Sequence, residues 1–336
     1  MNLPLIRTSE RSDFKRCPTR WHWRWREQLV PLDYSTGPLW AGTGGHLAMA
    51  GYYIPGFKRG IHPADTWDAY AKDSFDTIKY EKVIDDELSE DFENITTLIH
   101  DLLVEYANNY GPEEHLEVLA VERPFSVNIP NPKTKKPIVR MLGTIDLVVR
   151  NHAENGRIEL WDHKFMKSIS TEWLEIDDQN GGYLTVGTHI LRELDLIGPN
   201  EVVRGLMYNF LRKAKKDERP MNSIGQYLNK DGSVSKVQGK PLFERWWVAK
   251  TAAERNKQIK RIGEEARIMR LMESGKLPLF KTPNYTCQWS CDFFDLCKID
   301  EAGGDTEEFK NNVYKKADPY ADHREEAVNS KLIIPK

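Results

Sequence analysis

Two stretches that alternate apolar and polar residues, 138–150 and 158–165, flank an Asn155-Gly156 pair, the sequence signature of a β-hairpin. A hairpin dictates which residues stand opposite one another, so this pair constrains the chain more than any other feature. With the turn centred near Glu154, Asp146 of Gly143-Thr144-Ile145-Asp146 falls across from Asp162 of Asp162-His163-Lys164. Side chains alternate along a strand, which places Asp162 and Lys164 on one face beside Asp146. Two carboxylates held together repel unless a cation joins them, and an oxygen-rich donor set suits Mg²⁺ or Mn²⁺. The chemistry implied is phosphodiester hydrolysis, with the ion acidifying water and Lys164 orienting or deprotonating it. The bare D/E-x-K spacing recurs at Asp13 to Lys15 and at Glu308 to Lys310, so only the strand context distinguishes the copy at Asp162. A salt bridge across an ordinary hairpin stays open as the other reading.

The surroundings of the hairpin predict a mixed α/β fold. Residues 9–29 read as a helix capped by Ser9 or Ser12, residues 39–53 as a second helix rich in Gly and Ala, and residues 65–110 as mostly helical. Residues 117–129 add a strand, 178–196 a helix, 202–211 and 243–248 two more strands, and 251–274 a long helix. Between the last two strands, residues 213–241 are polar and contain Gly and Pro. They predict a surface hairpin that either contacts DNA or is decoration. Residues 283–297 form an aromatic loop, and 301–336 a polar, acidic tail expected to wrap the surface or lack order.

Four cysteines are divided one against three: Cys17 near the start, and Cys287, Cys291 and Cys297 in a C-x3-C-x5-C loop near the end. This partition is unlike the two tight pairs of a zinc ribbon. Four thiolates shielded by Trp289, Phe293 and Phe294 fit a 4Fe-4S cluster, with a four-thiolate zinc site and chance placement as the alternatives. A shared centre would clip both chain ends together and make their folding depend on metal.

Mean hydropathy of -0.61 and the lack of a long apolar run exclude a membrane-spanning class. The start lacks the apolar core of a secretory signal, so a reducing cytoplasm is expected, where structural disulfides are disfavoured. Net charge is -3, which gives no global attraction to nucleic acid. Basic runs at 16–26, 133–136, 212–216 and 255–270 each offer phosphate contacts or merely a solvated face. In the first run, Trp21, Trp23 and Trp25 could stack bases or pack in a core.

Taken with further motifs, these residues resemble the PD-(D/E)XK nuclease superfamily. Gly42-Thr43-Gly44-Gly45-His46 resembles the helix that supplies a metal-binding histidine in RecB-like and CRISPR-adaptation nucleases. Gln179 and Tyr183, spaced i and i+4, resemble the Gln-x-x-x-Tyr motif that follows the lysine strand, and Glu122 resembles an upstream strand glutamate. The Cys17-Pro18-Thr19-Arg20-Trp21 segment with three late cysteines resembles the iron-sulfur members of that branch, among them AddB-type and exonuclease V-type enzymes. The resemblance implies a restriction-endonuclease-like mixed sheet flanked by helices. Both chain ends, 9–30 and 280–298, would build a helical iron-sulfur subdomain on a core of 39–211 and 243–274, within one composite domain of 1–300. It further implies metal binding by His46, Asp146 and Asp162, with the His163 backbone carbonyl and Glu122 as further ligands. Catalysis falls to Asp146, Asp162, Lys164, Gln179 and Tyr183, and Cys17, Cys287, Cys291 and Cys297 hold the cluster. DNA is the implied partner and is cut from an end; a restriction-like endonuclease and a catalytically idle accessory module are the alternatives. No Walker A loop is present, so any helicase motor, like any recombination partner or self-assembly, would come from association.

Overall fold

The computed structural model of the protein describes residues 3–32, 38–81 and 86–321. Strand β1 (Leu5–Arg7) leads into α1 (Thr8–Arg16), which breaks at Cys17 because Pro18 starts a new short helix, α2 (Pro18–Trp21). A five-residue π-helical turn, His22–Arg26, follows and delivers the chain to β2 (Leu29–Pro31). The expected single helix over 9–29 is therefore three pieces, and neither Ser9 nor Ser12 caps it: Arg7 holds the N-cap position without a side-chain bond. Three helices come next, α3 (Pro38–Tyr52), α4 (Pro63–Glu81) and α5 (Asp86–Tyr110).

Strands β3 (Leu116–Pro130), β4 (Pro137–Asn151) and β5 (Arg157–Met166) form an antiparallel meander. Asn155 and Gly156 both take left-handed φ, at 55° and 72°, which tightens the return between β4 and β5. Helix α6 (Asp178–Glu193) crosses to β6 (Val203–Arg212), parallel to β5, and β7 (Phe243–Val248) pairs antiparallel beyond it. The sheet is thus mixed, in the order β3-β4-β5-β6-β7, with β1 parallel to β4 on the edge that β4 also offers to β5. Helix α7 (Ala252–Glu273) begins with a reciprocal capping box between Thr251 and Glu254.

Two apolar cores sandwich the sheet. Leu160, Leu206, Tyr208 and Val148 pack with Leu184, Ile190 and Ile262 of α6 and α7, while Trp161, Leu147 and Val149 pack with Met49, Trp67 and Leu103 of α3 to α5. Alternation along β5 thus sends Leu160 to one layer and Trp161 to the other.

The chain ends close on each other. Short helices α8 (Cys287–Ser290) and α9 (Phe294–Glu301) replace the expected loop. They are followed by α10 (Thr306–Val313) and β8 (Tyr314–Lys316), which pairs with β2. The start of the polar tail is therefore ordered, and Tyr320 is buried with its hydroxyl on Glu10; residues 322–336 lie outside the described residues. Trp21, Trp23 and Trp25 are all buried, and Trp21 Nε1 and Trp25 Nε1 donate to Glu10 and Asp13. Of their two readings, core packing is the one realised, and base stacking is ruled out for them. Among the described residues no helix is long and apolar enough to cross a membrane.

Candidate active site

The edge of β4 facing away from β3 is divided. Residues 140–142 pair with β1 and Leu147–Asn151 with β5, leaving Gly143-Thr144-Ile145-Asp146 in the fork between them. The β4–β5 register, Leu147 to Trp161, extended by one step sets Asp146 against Asp162. On the other side, Val121 pairs with Leu147 and Arg123 with Ile145, so Glu122 also stands level with Asp146. Three carboxylates from three adjacent strands occupy one row.

Helix α3 completes the row. His46 Nδ1 lies 3.3 Å from Asp146 Oδ2 and 3.7 Å from Glu122 Oε1. The helix comes this close because a Cβ at Gly45 would fall 2.6 Å from the Phe165 ring of β5. Asp146 Oδ2 accepts from the His163 backbone N–H at 2.8 Å. Asp162 is buried, with Lys164 Nζ 3.0 Å from its Oδ1 and 2.8 Å from its Oδ2, the latter outside hydrogen-bond geometry. Tyr183 reaches the fork over Gly143, where an added Cβ would sit 3.0 Å from its hydroxyl, and Gln179 bonds that hydroxyl. An open cavity of about 430 Å³ beside the fork is lined by Ser12, Lys15, Gly143, Asp177, Gln179 and Tyr183. A larger one, about 620 Å³, surrounds the hairpin turn at Asn155 and Arg157, remote from the carboxylates.

The electrostatics follow from burial of like charges. Burial pushes Asp146 up to about 7; His46 pulls it down, while Asp162 and Glu122 push it up further. Burial works against a charged His46, yet the carboxylates of Asp146 and Glu122 outweigh it and push the imidazole up to about 9. Lys164 is likewise disfavoured by burial and carried by Asp162 to about 12. Burial, with His46 and Arg245 nearby, holds His163 well below the usual histidine range, hence neutral. Glu122 adds backbone strain: its φ of 42° is left-handed, a conformation that costs about 1–3 kcal/mol for a side chain of this kind.

A carboxylate that ionises with difficulty and a buried Asp162 oxygen without a hydrogen bond fit a divalent cation, and so does the donor chemistry of one imidazole and several carboxylates. The tightest trio is His46, Glu122 and Asp146, whose ligand atoms all lie within 4.8 Å of one another. Asp162 is not one of the three: it stands beside Asp146 across the β4–β5 register and is tied to Lys164, so of the expected trio His46 and Asp146 are brought together, with Glu122 in place of Asp162 as the third close donor. The ring of His163 leaves the face shared by Asp162 and Lys164 and turns to the one covered by α3 to α5, its centroid 6.4 Å from that of His46. There its Nδ1 lies 2.8 Å from Asn209, in a buried network with Tyr106, Tyr53, Glu113 and Arg245. Sequence reasoning missed that network, whose members are up to 192 residues apart. It also missed Asp177, which caps α6, accepts from Tyr208 and acts on Lys164. An acid directly before an amphipathic helix was the available signal.

The four cysteines are unbridged and half-buried at the joined chain ends. Thr19 N donates to Phe280 O, Thr282 Oγ1 to the Arg16 carbonyl, and Arg20 to the Ser290 carbonyl, drawing Cys17 to the late loop. Burial pushes the Cys297 thiol up, Lys281 pulls it down, and Cys17 and Cys291 push it up again, which places Cys17 near the late cysteines. Cys291 and Cys297 pack against Trp23, Phe293 and Leu296.

A family model described as the PD-(D/E)XK nuclease superfamily matches residues 8–298. No curated protein matches. Among solved structures the chain is similar to one from Eubacterium rectale described as a "Putative exonuclease". Sequence identity is 10%, the match covers 86% of this chain and 93% of that one, and the TM-score is 0.41.

Proposed function

Because the chain belongs to the PD-(D/E)XK nuclease superfamily, we propose that it is a Mg²⁺- or Mn²⁺-dependent DNA exonuclease of the RecB-like iron-sulfur branch, acting in recombination or repair. One observation carries the reading: Glu122, Asp146 and Asp162 share a row across three strands, with His46 against Asp146 and Lys164 against Asp162. Glu122, Asp146, Asp162 and His46 would hold the cation. In a strand a residue's N–H and C=O point the same way. The His163 N–H that reaches Asp146 therefore implies a carbonyl aimed at the same side, available as a further ligand.

When bound, the cation lowers the pKa of water and offsets charge gathering on the scissile phosphate. The protein's own groups supply placement. Lys164, fixed by Asp162, donates to the attacking water or to a phosphate oxygen, and Asp177 helps keep it charged. Tyr183 and Gln179, joined to each other at the mouth of the cavity, position the phosphate. Arg11, fully buried, bonds Glu265 at 2.6 Å and Asp178 at 3.0 Å, which supports one composite domain in which the cysteine-bearing ends are bound to the catalytic core.

The one-against-three partition of the cysteines, unlike the two tight pairs of a zinc ribbon, is what supports a 4Fe-4S cluster at the joined chain ends. Cutting from a DNA end follows the resemblance to RecB-like enzymes.

End-labelled linear DNA and covalently closed circular DNA, incubated with Mg²⁺ or Mn²⁺, test the proposal. The wild type should degrade the linear form only, and Asp162→Ala should degrade neither. Cleavage of closed circles would establish an endonuclease instead, and equal inertness of both proteins an idle DNA-binding module.

A further inference from the structure

Between β6 and β7 the chain makes a long excursion that the chemistry at the fork does not use. From Arg212 to Pro241 it carries eight Lys and Arg against three Asp and Glu, a net +5 in a chain whose total is -3. The basic charge withheld from the protein as a whole is concentrated here.

The sheet determines where this charge is delivered. Strands β5 and β6 run parallel, with Lys164 beside Phe210 and Met166 beside Arg212, and Lys213 N donates to Met166 O at 2.8 Å. Both strands therefore end at the same edge, just past Lys164. Two residues along and one strand across amount to roughly 8 Å. Phosphates along one strand of B-DNA rise about 3.4 Å per step along the axis and lie further apart along the backbone itself, so the root of the excursion lies within about one or two phosphates of the group held at Lys164.

The excursion is folded. Met221 bridges to Tyr227 and Leu228 to Val234, giving two successive turns. Arg219 is committed internally, to the Asp217 carboxylate, Ser235 Oγ at 3.0 Å and the Val237 carbonyl at 3.1 Å, with its guanidinium 4.9 Å over the Tyr227 ring. Lys216 is paired with Glu105 at 2.7 Å. Lys215, Lys230, Lys236 and Lys240 are exposed, and among the described residues no carboxylate pairs with them. At the root, half-buried Lys213 also faces the like charge of Lys167. A folded scaffold thus holds several ammonium groups apart from any internal carboxylate partner, which is the footprint of a polyanion site.

We propose that the 212–241 insertion is a phosphate-binding arm that grips the DNA strand where it leaves the catalytic fork. The proposal rests on the nuclease reading for its location and names the contact that holds the substrate. Lysines at this spacing read no bases, so the grip is independent of sequence and sensitive to salt.

The test replaces Lys215, Lys230, Lys236 and Lys240 together by Gln, and binding of a labelled single-stranded oligonucleotide is followed by anisotropy in EDTA, where no hydrolysis occurs. The slope of log K against log salt should shrink by about 2 to 3 and affinity should fall at least about tenfold. The same four positions changed to Arg should bind as the wild type does. Hydrolysis of bis(p-nitrophenyl) phosphate with Mn²⁺, a diester too small to reach the arm, should be unchanged. An unaltered salt slope and affinity in the Gln variant would overturn the arm. A reduced slope in a protein that hydrolyses neither the small diester nor linear DNA would keep the arm and overturn the nuclease reading.

Discussion

The catalytic fork and the cysteine-bearing ends are assembled by opposite means. At the fork, Asp146, Asp162 and Lys164 come from one hairpin whose turn and register bring them together with only local chain closure. At the ends, Cys17 must find three cysteines some 270 positions further on, guided by Thr19, Arg20 and Thr282. The fork is therefore formed by backbone geometry, while the ends are joined by long-range hydrogen bonds that the proposed cluster would reinforce against a long loop closure. A site formed by local pairing can afford repulsive charges; one formed by distant closure needs attraction.

This contrast predicts that activity and stability separate. Asp146→Asn should abolish hydrolysis of DNA while raising the thermal midpoint of metal-free protein. Its ionised form is disfavoured by burial and by its acidic neighbours, and the amide removes that repulsion. Unchanged activity, or a lower midpoint in the metal-free state, would break the contrast from the catalytic side. Lys164→Ala should lower turnover by about 10²- to 10⁴-fold with little change in metal affinity, measured as separate kcat and metal-activation curves.

Cys17→Ser attacks the other side. Releasing a loop of that length should remove about 5 kcal/mol of closure stabilisation, read as loss of bound iron and early proteolysis in residues 8–26, with the hairpin's amide protection retained. Equal loss of protection in β4 and β5 would show the two regions to be one cooperative unit. A smaller effect separates the ligands themselves: His46→Ala should weaken activation by Mn²⁺ about tenfold and by Mg²⁺ less, since a nitrogen donor matters less to the harder ion. The smallest is Glu122→Gly, which relieves a left-handed φ and should gain about 1 kcal/mol of stability while lowering metal affinity.

How much of this was visible in the sequence depended on range. The register of Asp146 against Asp162 followed from an Asn-Gly turn and strict alternation, both local signals. Glu122 was only loosely placed, because its alignment depends on a β3–β4 register with an irregularity between Val118 and Ala120 that no pattern announces. Strands β1, β2 and β8 are three residues each and too short for periodicity to register. The π-helical turn at His22–Arg26 disguised itself as an ordinary helix and sent Trp23 and Trp25 inward beside Trp21 of α2. The Glu113–Arg245 pair, 132 positions apart, left no trace at all.

The central claim is that Glu122, Asp146, Asp162 and His46 share one divalent ion. Anomalous diffraction from crystals soaked in Mn²⁺ measures this most directly. The account predicts a peak at the β4–β5 fork within bonding distance of Asp146, lost in Asp146→Asn. A crystal saturated with Mn²⁺ that shows no density there, or shows it only at the cysteines, would contradict it.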